Sequence, residues 1–210
     1  MKKFITFEGG EGSGKSTQCK LLVKSFKMIK EKILLSREPG GTYLAEKIRN
    51  FLVKKEILPE TELLLIYAAR HEHISNLILP NLKKKTIICD RFYHSTYCYQ
   101  VLAQGVSEKK LNYLHKNFAK DLLPNLTIFI DVDPELGVLR SLKRSKNNNK
   151  FESKNIFFHK KIREGFINFS QKKTNFFKIN GENSKSKVHR EIIDYFNKKK
   201  IIKKKIPYSL

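Results

Sequence analysis

The sequence predicts an α/β fold in which a parallel sheet is covered by helices on both faces, and three observations carry that prediction. Five short segments, residues 4–7, 33–36, 86–90, 127–132 and 176–179, are rich in Ile, Phe or Leu. At least one helical pattern separates each from the next, as parallel strands joined by crossover helices require. The third observation is the stretch at residues 9–16, Gly-Gly-Glu-Gly-Ser-Gly-Lys-Ser, set between the first apolar segment and the first helical pattern.

That stretch fits G-x-x-x-x-G-K-[ST], a loop that cradles phosphates. Gly9, Gly10, Gly12 and Gly14 allow positive φ, so that successive N–H groups can turn onto phosphate oxygens while the next helix points its positive end at them. Glu11 and Ser13 complete the loop, Lys15 would reach the β- and γ-phosphates, Ser16 would hold Mg²⁺, and Thr17 adjoins the nucleotide-binding set. A Gly-rich turn that merely joins strand to helix is the rival reading. The flanking context argues against it, because Cys19, Leu22, Phe26 and Ile29 recur at helical spacing directly afterwards.

The later helices carry their own punctuation. Ser107 is a candidate cap for a helix bearing Leu111, Leu114 and Phe118, after a break at Gly105. Asp133-Pro134 offers an N-cap and a first-turn proline ahead of Leu136, Leu139 and Leu142. Phe158, Ile162, Phe166 and Phe169 form one helical face, read as core rather than as a stacking platform. Val188, Ile192 and Phe196 give the last helix its buried side. The lysine-rich tail at 198–210 is expected to fray, leaving one domain over 1–197. Residues 145–153, Ser-Lys-Asn-Asn-Asn-Lys-Phe-Glu-Ser, fit either a surface linker or a lid that closes over a nucleotide.

A chain of 210 residues with 40% apolar content and fifteen Phe can bury a core without disulfides. Cys19, Cys89 and Cys98 form no C-x-x-C pair and read as core or incidental thiols in a reducing compartment. The apolar run after Met1-Lys2-Lys3 is too short for a signal-peptide core, and the longest apolar stretch, 63–69, cannot span a bilayer, so a soluble cytoplasmic protein is expected. The net charge of +23 raises the idea of a nucleic-acid or membrane partner. However, 35 of the 43 basic residues are Lys rather than the bidentate Arg, and no aromatic-interleaved basic motif occurs. Diffuse solvated lysine is the reading adopted, with no dedicated nucleic-acid or membrane partner.

In an open parallel sheet, ligands bind beyond the carboxyl ends of the strands. The second strand runs into Arg37-Glu38-Pro39-Gly40-Gly41 and the third into Asp90-Arg91; a strand ending in Asp resembles one that orients Mg²⁺. Lys15, Arg37, Asp90 and Arg91 therefore converge on one rim. Three cations exceed what one nucleoside triphosphate needs and point to a second phosphorylated ligand, hence a kinase. No Asn-Lys-x-Asp guanine-reading motif occurs, which weakens a switch GTPase.

The set GGEGSGKS, REPGGTYLAEKIR at 37–49, YAAR at 67–70, DRFYHSTYCYQ at 90–100 and IDVDPELGVLR resembles bacterial thymidylate kinase, in order and over almost the whole chain. The resemblance implies a P-loop nucleoside monophosphate kinase-like α/β/α fold with a five-stranded parallel sheet. It also implies transfer of the ATP γ-phosphate to dTMP in dTTP biosynthesis, Mg²⁺, and a homodimer. Position by position, it implies that Glu11 accepts from the acceptor's 3′-hydroxyl and that Arg37 and Arg91 hold the acceptor phosphate. Arg70 would read the thymine edge, Thr96 would contact the base, and Tyr99 would crowd the ribose 2′ position. In relatives whose P-loop lacks an arginine, the catalytic cation lies in the lid, here about 144–155. Arg144 aligns best with it and Arg140 second, both counted on the ATP side, so that Lys15, Arg91 and Arg144 form the catalytic set.

Two departures stand out. Asn149-Lys150 replaces the family's Asp-Arg before Phe151-Glu152, keeping charge but losing bidentate geometry. Ile66 replaces a Phe that stacks on thymine in many relatives, leaving dispersion without ring stacking. Two other readings remain at this point: a nucleotide or deoxynucleoside kinase with a different acceptor, and a basic P-loop protein that binds nucleic acid.

Overall fold

The computed structural model describes residues 3–144 and 150–209, with the side chain of Arg144 outside that description. Among the described residues, five strands form one sheet: β1 (Phe4–Glu8), β2 (Ile33–Arg37), β3 (Thr86–Asp90), β4 (Leu126–Asp131) and β5 (Phe176–Asn180). The order is β2-β3-β1-β4-β5, and every neighbouring pair is parallel. Each strand agrees with its sequence-based segment to within a residue at either end.

The period-2 alternation of strands sorts these residues onto two faces. Ile5 and Phe7 of β1, Ile88 of β3, and Ile128 and Ile130 of β4 point to one side, where they meet Leu22 and Phe26 of α1 (Lys15–Met28) and Ile192 and Phe196 of α9 (Lys185–Lys198). Phe4, Ile87 and Cys89 point to the other side and pack with Tyr67 of α3 (Pro59–His73) and Leu111 of α6 (Glu108–Phe118). Phe129 also faces that side, stacked on Phe166 of α8 (Ile156–Lys172), so the predicted Phe158/Ile162/Phe166 stripe is core. The remaining helices are α2 (Tyr43–Lys54), α4 (Leu79–Leu82), α5 (Tyr93–Thr96) and α7 (Pro134–Arg144), with π-helical stretches at Ile74–Ile78 and Tyr97–Ala103.

In α7, Leu136 packs against the core, whereas Leu139 and Leu142 are 49% and 42% exposed. Each step of three residues falls about 60° short of a full turn, so two such steps carry the side chain off the buried face. Ser107 occupies the N-cap of α6 but makes no side-chain cap bond; its carbonyl takes the amides of Lys110 and Leu111 instead. The tail does not fray after Lys198. Ile206 is buried in the α1/α9 core, Asn197 brackets its backbone with bonds of 2.8 and 2.9 Å, and Ser209 Oγ donates to Leu21 O at 2.9 Å. Half-buried Ile201 and Ile202 pack on the same core, while lysines 203 to 205 stay exposed.

Register brings the chemistry to one end of the sheet. Arg37 lies opposite Asp90, and Asp90 opposite Phe7 next to Glu8, so the loops that follow β1, β2 and β3 open onto a common rim.

Candidate active site

The loop after β1 delivers Lys15 as the first residue of α1. Gly9, Gly12 and Gly14 have positive φ there, and at Gly12 an added β-carbon would also overlap the carbonyl of Gly137 in α7. Lys15 is buried, with Nζ donating to Gly10 O at 2.6 Å and Ser13 Oγ at 3.1 Å. Burial, helped by the positive charge of Arg91, lowers its pKa to about 8 despite the nearby carboxylates. Ser16 Oγ donates to Asp90 Oδ2, which ties the first turn of α1 to the end of β3. A hydroxyl and a carboxylate side by side are the oxygen donors that a hard divalent cation takes.

Arg91 sits in the left-handed region, φ 70°, and its guanidinium makes three hydrogen bonds. Nη1 donates to Gly9 O at 3.0 Å and Ser95 Oγ at 3.2 Å, while Nη2 donates to Glu11 Oε1 at 2.8 Å. Tyr99 Oη donates to the same Glu11 oxygen at 2.8 Å, and the guanidinium lies 4.9 Å from the Tyr99 ring centre. Burial pushes the Glu11 pKa up, but the charges of Arg91 and Lys15 and the Tyr99 hydroxyl outweigh it and hold the carboxyl at about 2. Glu11 is thus a committed carboxylate between the phosphate loop and an aromatic wall. Arg37 pairs bidentately with Glu46, at 3.1 and 2.7 Å, on the half-exposed rim.

Two clefts, enclosing about 650 and 610 Å³ with their open mouths included, meet at Glu11, Glu38, Arg49 and Arg91. The smaller is polar and holds Lys15, Ser16, Arg37 and Asp90; the larger is lined by Ile66, Arg70, Thr96, Tyr99, Gln100 and Phe151. A third, of about 740 Å³, lies across the loop and collects Gly12, Gly14, Thr17 and Arg140. The Arg140 guanidinium donates there to the carbonyls of Gly181 at 2.8 Å and Glu182 at 3.3 Å. It therefore belongs to the side of the loop away from the acceptor-side clefts.

In the larger cleft, Arg70 is 2% exposed. Its Nε donates to Glu38 Oε2 at 2.7 Å and its Nη2 to Thr96 Oγ1 at 2.8 Å, while Nη1 has no hydrogen-bond partner among the described residues. Burial would lower the Arg70 pKa, but the charges of Glu38 and Tyr67 and the hydrogen bonds to both together outweigh it and raise the pKa. Lys150 does not lie among the phosphate-binding groups, where a lid cation is expected. It is buried against Glu62, whose carboxylate also takes Gln100 Nε2 at 2.8 Å and Gln104 Nε2 at 2.9 Å. The adjoining Phe151 meets the Tyr99 ring edge-on at 5.6 Å. The Arg144 side chain and residues 145–149 of the expected lid lie outside the described residues.

Glu8 underlies the whole arrangement. Buried at the end of β1, it accepts from Phe92 N at 2.9 Å and from Ser95 Oγ, fixing the turn that carries Arg91. Burial raises its pKa to about 7, with Ser95 and Arg91 opposing. Sequence reasoning missed Glu8, Glu38, Arg49, Glu62, Gln100 and Phe151 as site residues. Glu38 stands beside Arg37 at the same strand end, so the rule that selected one would have selected the other; Glu62 and Phe151 carry no local signal.

A glycine loop walled by one pocket on its far side and two confluent clefts on its near side defines a P-loop phosphotransferase of the nucleoside monophosphate kinase-like fold. The family model for thymidylate kinase matches residues 7–192. A thymidylate kinase of Wolbachia pipientis subsp. Culex pipiens is 45% identical over 203 residues, covering 94% of this chain and 97% of the relative. One from Orientia tsutsugamushi is 43% identical over 205 residues, 94% of each chain. The crystal structure of thymidylate kinase from Ehrlichia chaffeensis superposes with a TM-score of 0.76 at 33% identity, over 93% of this chain and 98% of that one. The chain belongs to the thymidylate kinase family.

Proposed function

We propose that the chain transfers the γ-phosphoryl group of ATP to dTMP, giving ADP and dTDP. The observation that carries this reading is the shared wall of the two near-side clefts, where Glu11 receives both Arg91 and Tyr99. In this reading the dTMP base enters the larger cleft, its ribose lies on Tyr99 with the 3′-hydroxyl donating to Glu11, and its phosphate faces Arg37 and Arg91. Arg70 reads the base edge, Thr96 lines it, and Ile66 and Phe151 flank it. ATP lies across the loop, with its base towards Thr17 and Arg140 and its phosphates on the amides of residues 9–16.

The acceptor phosphate oxygen is already anionic, so the protein has no strong base to supply. Lys15 and Arg91 neutralise charge that spreads over the transferring group, and the loop amides orient it. Ser16 and Asp90 would hold Mg²⁺, which when bound supplies further charge neutralisation. Arg144 is the proposed lid cation; Arg144→Ala is expected to lower kcat while leaving the dTMP KM nearly unchanged, measured by steady-state kinetics.

The proposal extends to a cytoplasmic homodimer of one domain, with residues 198–209 packed onto it. Support for the dimer comes from exposed Leu44 and Phe51 of α2, Leu64 of α3 and Tyr113 of α6. No helix among the described residues is long and apolar enough to cross a membrane. A coupled ADP-release assay with ATP, Mg²⁺ and dTMP, dUMP, UMP, dCMP or AMP tests the reading: dTMP should give the highest kcat/KM, and parity with AMP would refute it.

A further inference from the structure

The Arg-Glu-Pro-Gly-Gly turn after β2 contains a carboxylate that the phosphate chemistry does not use. Glu38 is 3% exposed and divides its two oxygens: Oε2 takes Arg70 Nε at 2.7 Å and Oε1 takes His73 Nδ1 at 2.9 Å. A carboxylate can only accept, so His73 Nδ1 donates to Glu38, and Nε2 is joined to Ser36 Oγ by a hydrogen bond of 2.6 Å. The relay is closed from above by Gly41, at φ +87°, where a β-carbon would overlap both Ser36 Oγ and the His73 ring. The same turn gives Gly41 N to Glu46 at 2.9 Å, and Glu46 is the residue that clamps Arg37.

We infer that Glu38 is a positioning residue for acceptor recognition: it fixes the Arg70 guanidinium at the wall of the larger cleft so that its remaining N–H groups can serve the base, with His73 and Ser36 fixing Glu38 in turn. An arginine side chain is long and flexible, and two bonds from its fork to Glu38 and Thr96 remove that freedom before the ligand arrives. Because one turn holds both Glu38 and the Glu46–Arg37 clamp, the donor for the base and the cation for the phosphate are set at a fixed spacing. The inference rests on the dTMP reading and adds what makes the base pocket selective. The exocyclic carbonyl oxygen of thymine can accept from the Arg70 guanidinium, whereas the amino group at the corresponding position of cytosine cannot.

The test compares dTMP with dCMP in Glu38→Gln and His73→Gln. Glu38→Gln should raise the dTMP KM at least about tenfold, the size expected for losing a hydrogen bond to a charged group. The kcat should fall by less than the KM rises, the ATP KM should stay put, and the preference for dTMP over dCMP should narrow. His73→Gln keeps the Glu38–Arg70 pair and should give the same pattern at roughly threefold amplitude. If circular dichroism shows that Glu38→Gln does not fold, His73→Gln decides by the same readout. Wild-type KM and preference in both variants, or an equal loss for dTMP, dCMP and ATP, would overturn the inference. A wild-type enzyme with no preference for dTMP would instead refute the reading on which it rests.

Discussion

The phosphate cradle and the base pocket share a wall but are built on opposite plans. The cradle is local: eight consecutive residues, 9–16, place backbone amides and one lysine around an anion, and the strand ends that carry Arg37, Asp90 and Arg91 complete its rim. The base pocket is assembled from side chains on α2, α3, the α5 region and the segment before α8, brought together by packing. A site made of backbone tolerates changes around it and fails when a key residue goes, whereas a site made of packed side chains loses affinity in graded steps.

The largest expected effect breaks the cradle. Lys15→Ala should cut kcat by about a thousandfold, in the range for a donor aimed at developing transition-state charge, with the fold intact by circular dichroism. A loss of under tenfold would show that the cradle is not the centre of charge neutralisation.

In the base pocket, Phe151→Ala should raise the dTMP KM by about fivefold, the scale of a lost aromatic contact, with the ATP KM unchanged. The chain has no tryptophan. Phe151→Trp therefore installs a single reporter whose emission should shift on adding dTMP alone; an unresponsive spectrum would remove Phe151 from the pocket.

A pH titration probes the support beneath both regions. The folded pKa of Glu8, about 7, lies above the ordinary carboxyl value of 4.5, so between those values the unfolded chain gives up a proton that the folded protein retains. Glu8 therefore costs stability progressively as pH rises from 4.5 to 7, and not further above that. The groups facing it are Arg91, Lys15, Ser95 and the Phe92 amide, of which the two cations limit the shift. Glu8→Gln should flatten this part of the stability curve in urea titrations, and an unchanged slope would contradict the assignment.

The smallest effect on turnover comes from the far face. Ile206→Ala removes a fully buried side chain and should cost about 2 to 4 kcal/mol and lower the Tm, while kcat stays at the wild-type value. Differential scanning calorimetry beside the coupled assay separates the two outcomes.

The same contrast explains what could be read in advance. Residues 9–16 and Asp90-Arg91 are contiguous, and each residue type there has one obvious task, so the cradle was legible as it stands. The strands were legible too, because their alternation survives in the sequence. Glu62 and Lys150 are 88 positions apart and meet only because the segment before α8 lies against α3. Nothing local distinguishes either from a solvated charge. Ile206 was hidden differently: six lysines among residues 198–205 mask it together with Ile201 and Ile202, and composition averages the apolar residues away.

The central claim is that the two confluent clefts hold dTMP against the phosphate loop while ATP occupies its other side. The direct measurement is a competition: γ-³²P-labelled ATP with an equimolar mixture of dTMP, dCMP and AMP, with products resolved chromatographically. Nearly all the label should appear in dTDP; label spread evenly over the three diphosphates, or released as inorganic phosphate, would contradict it.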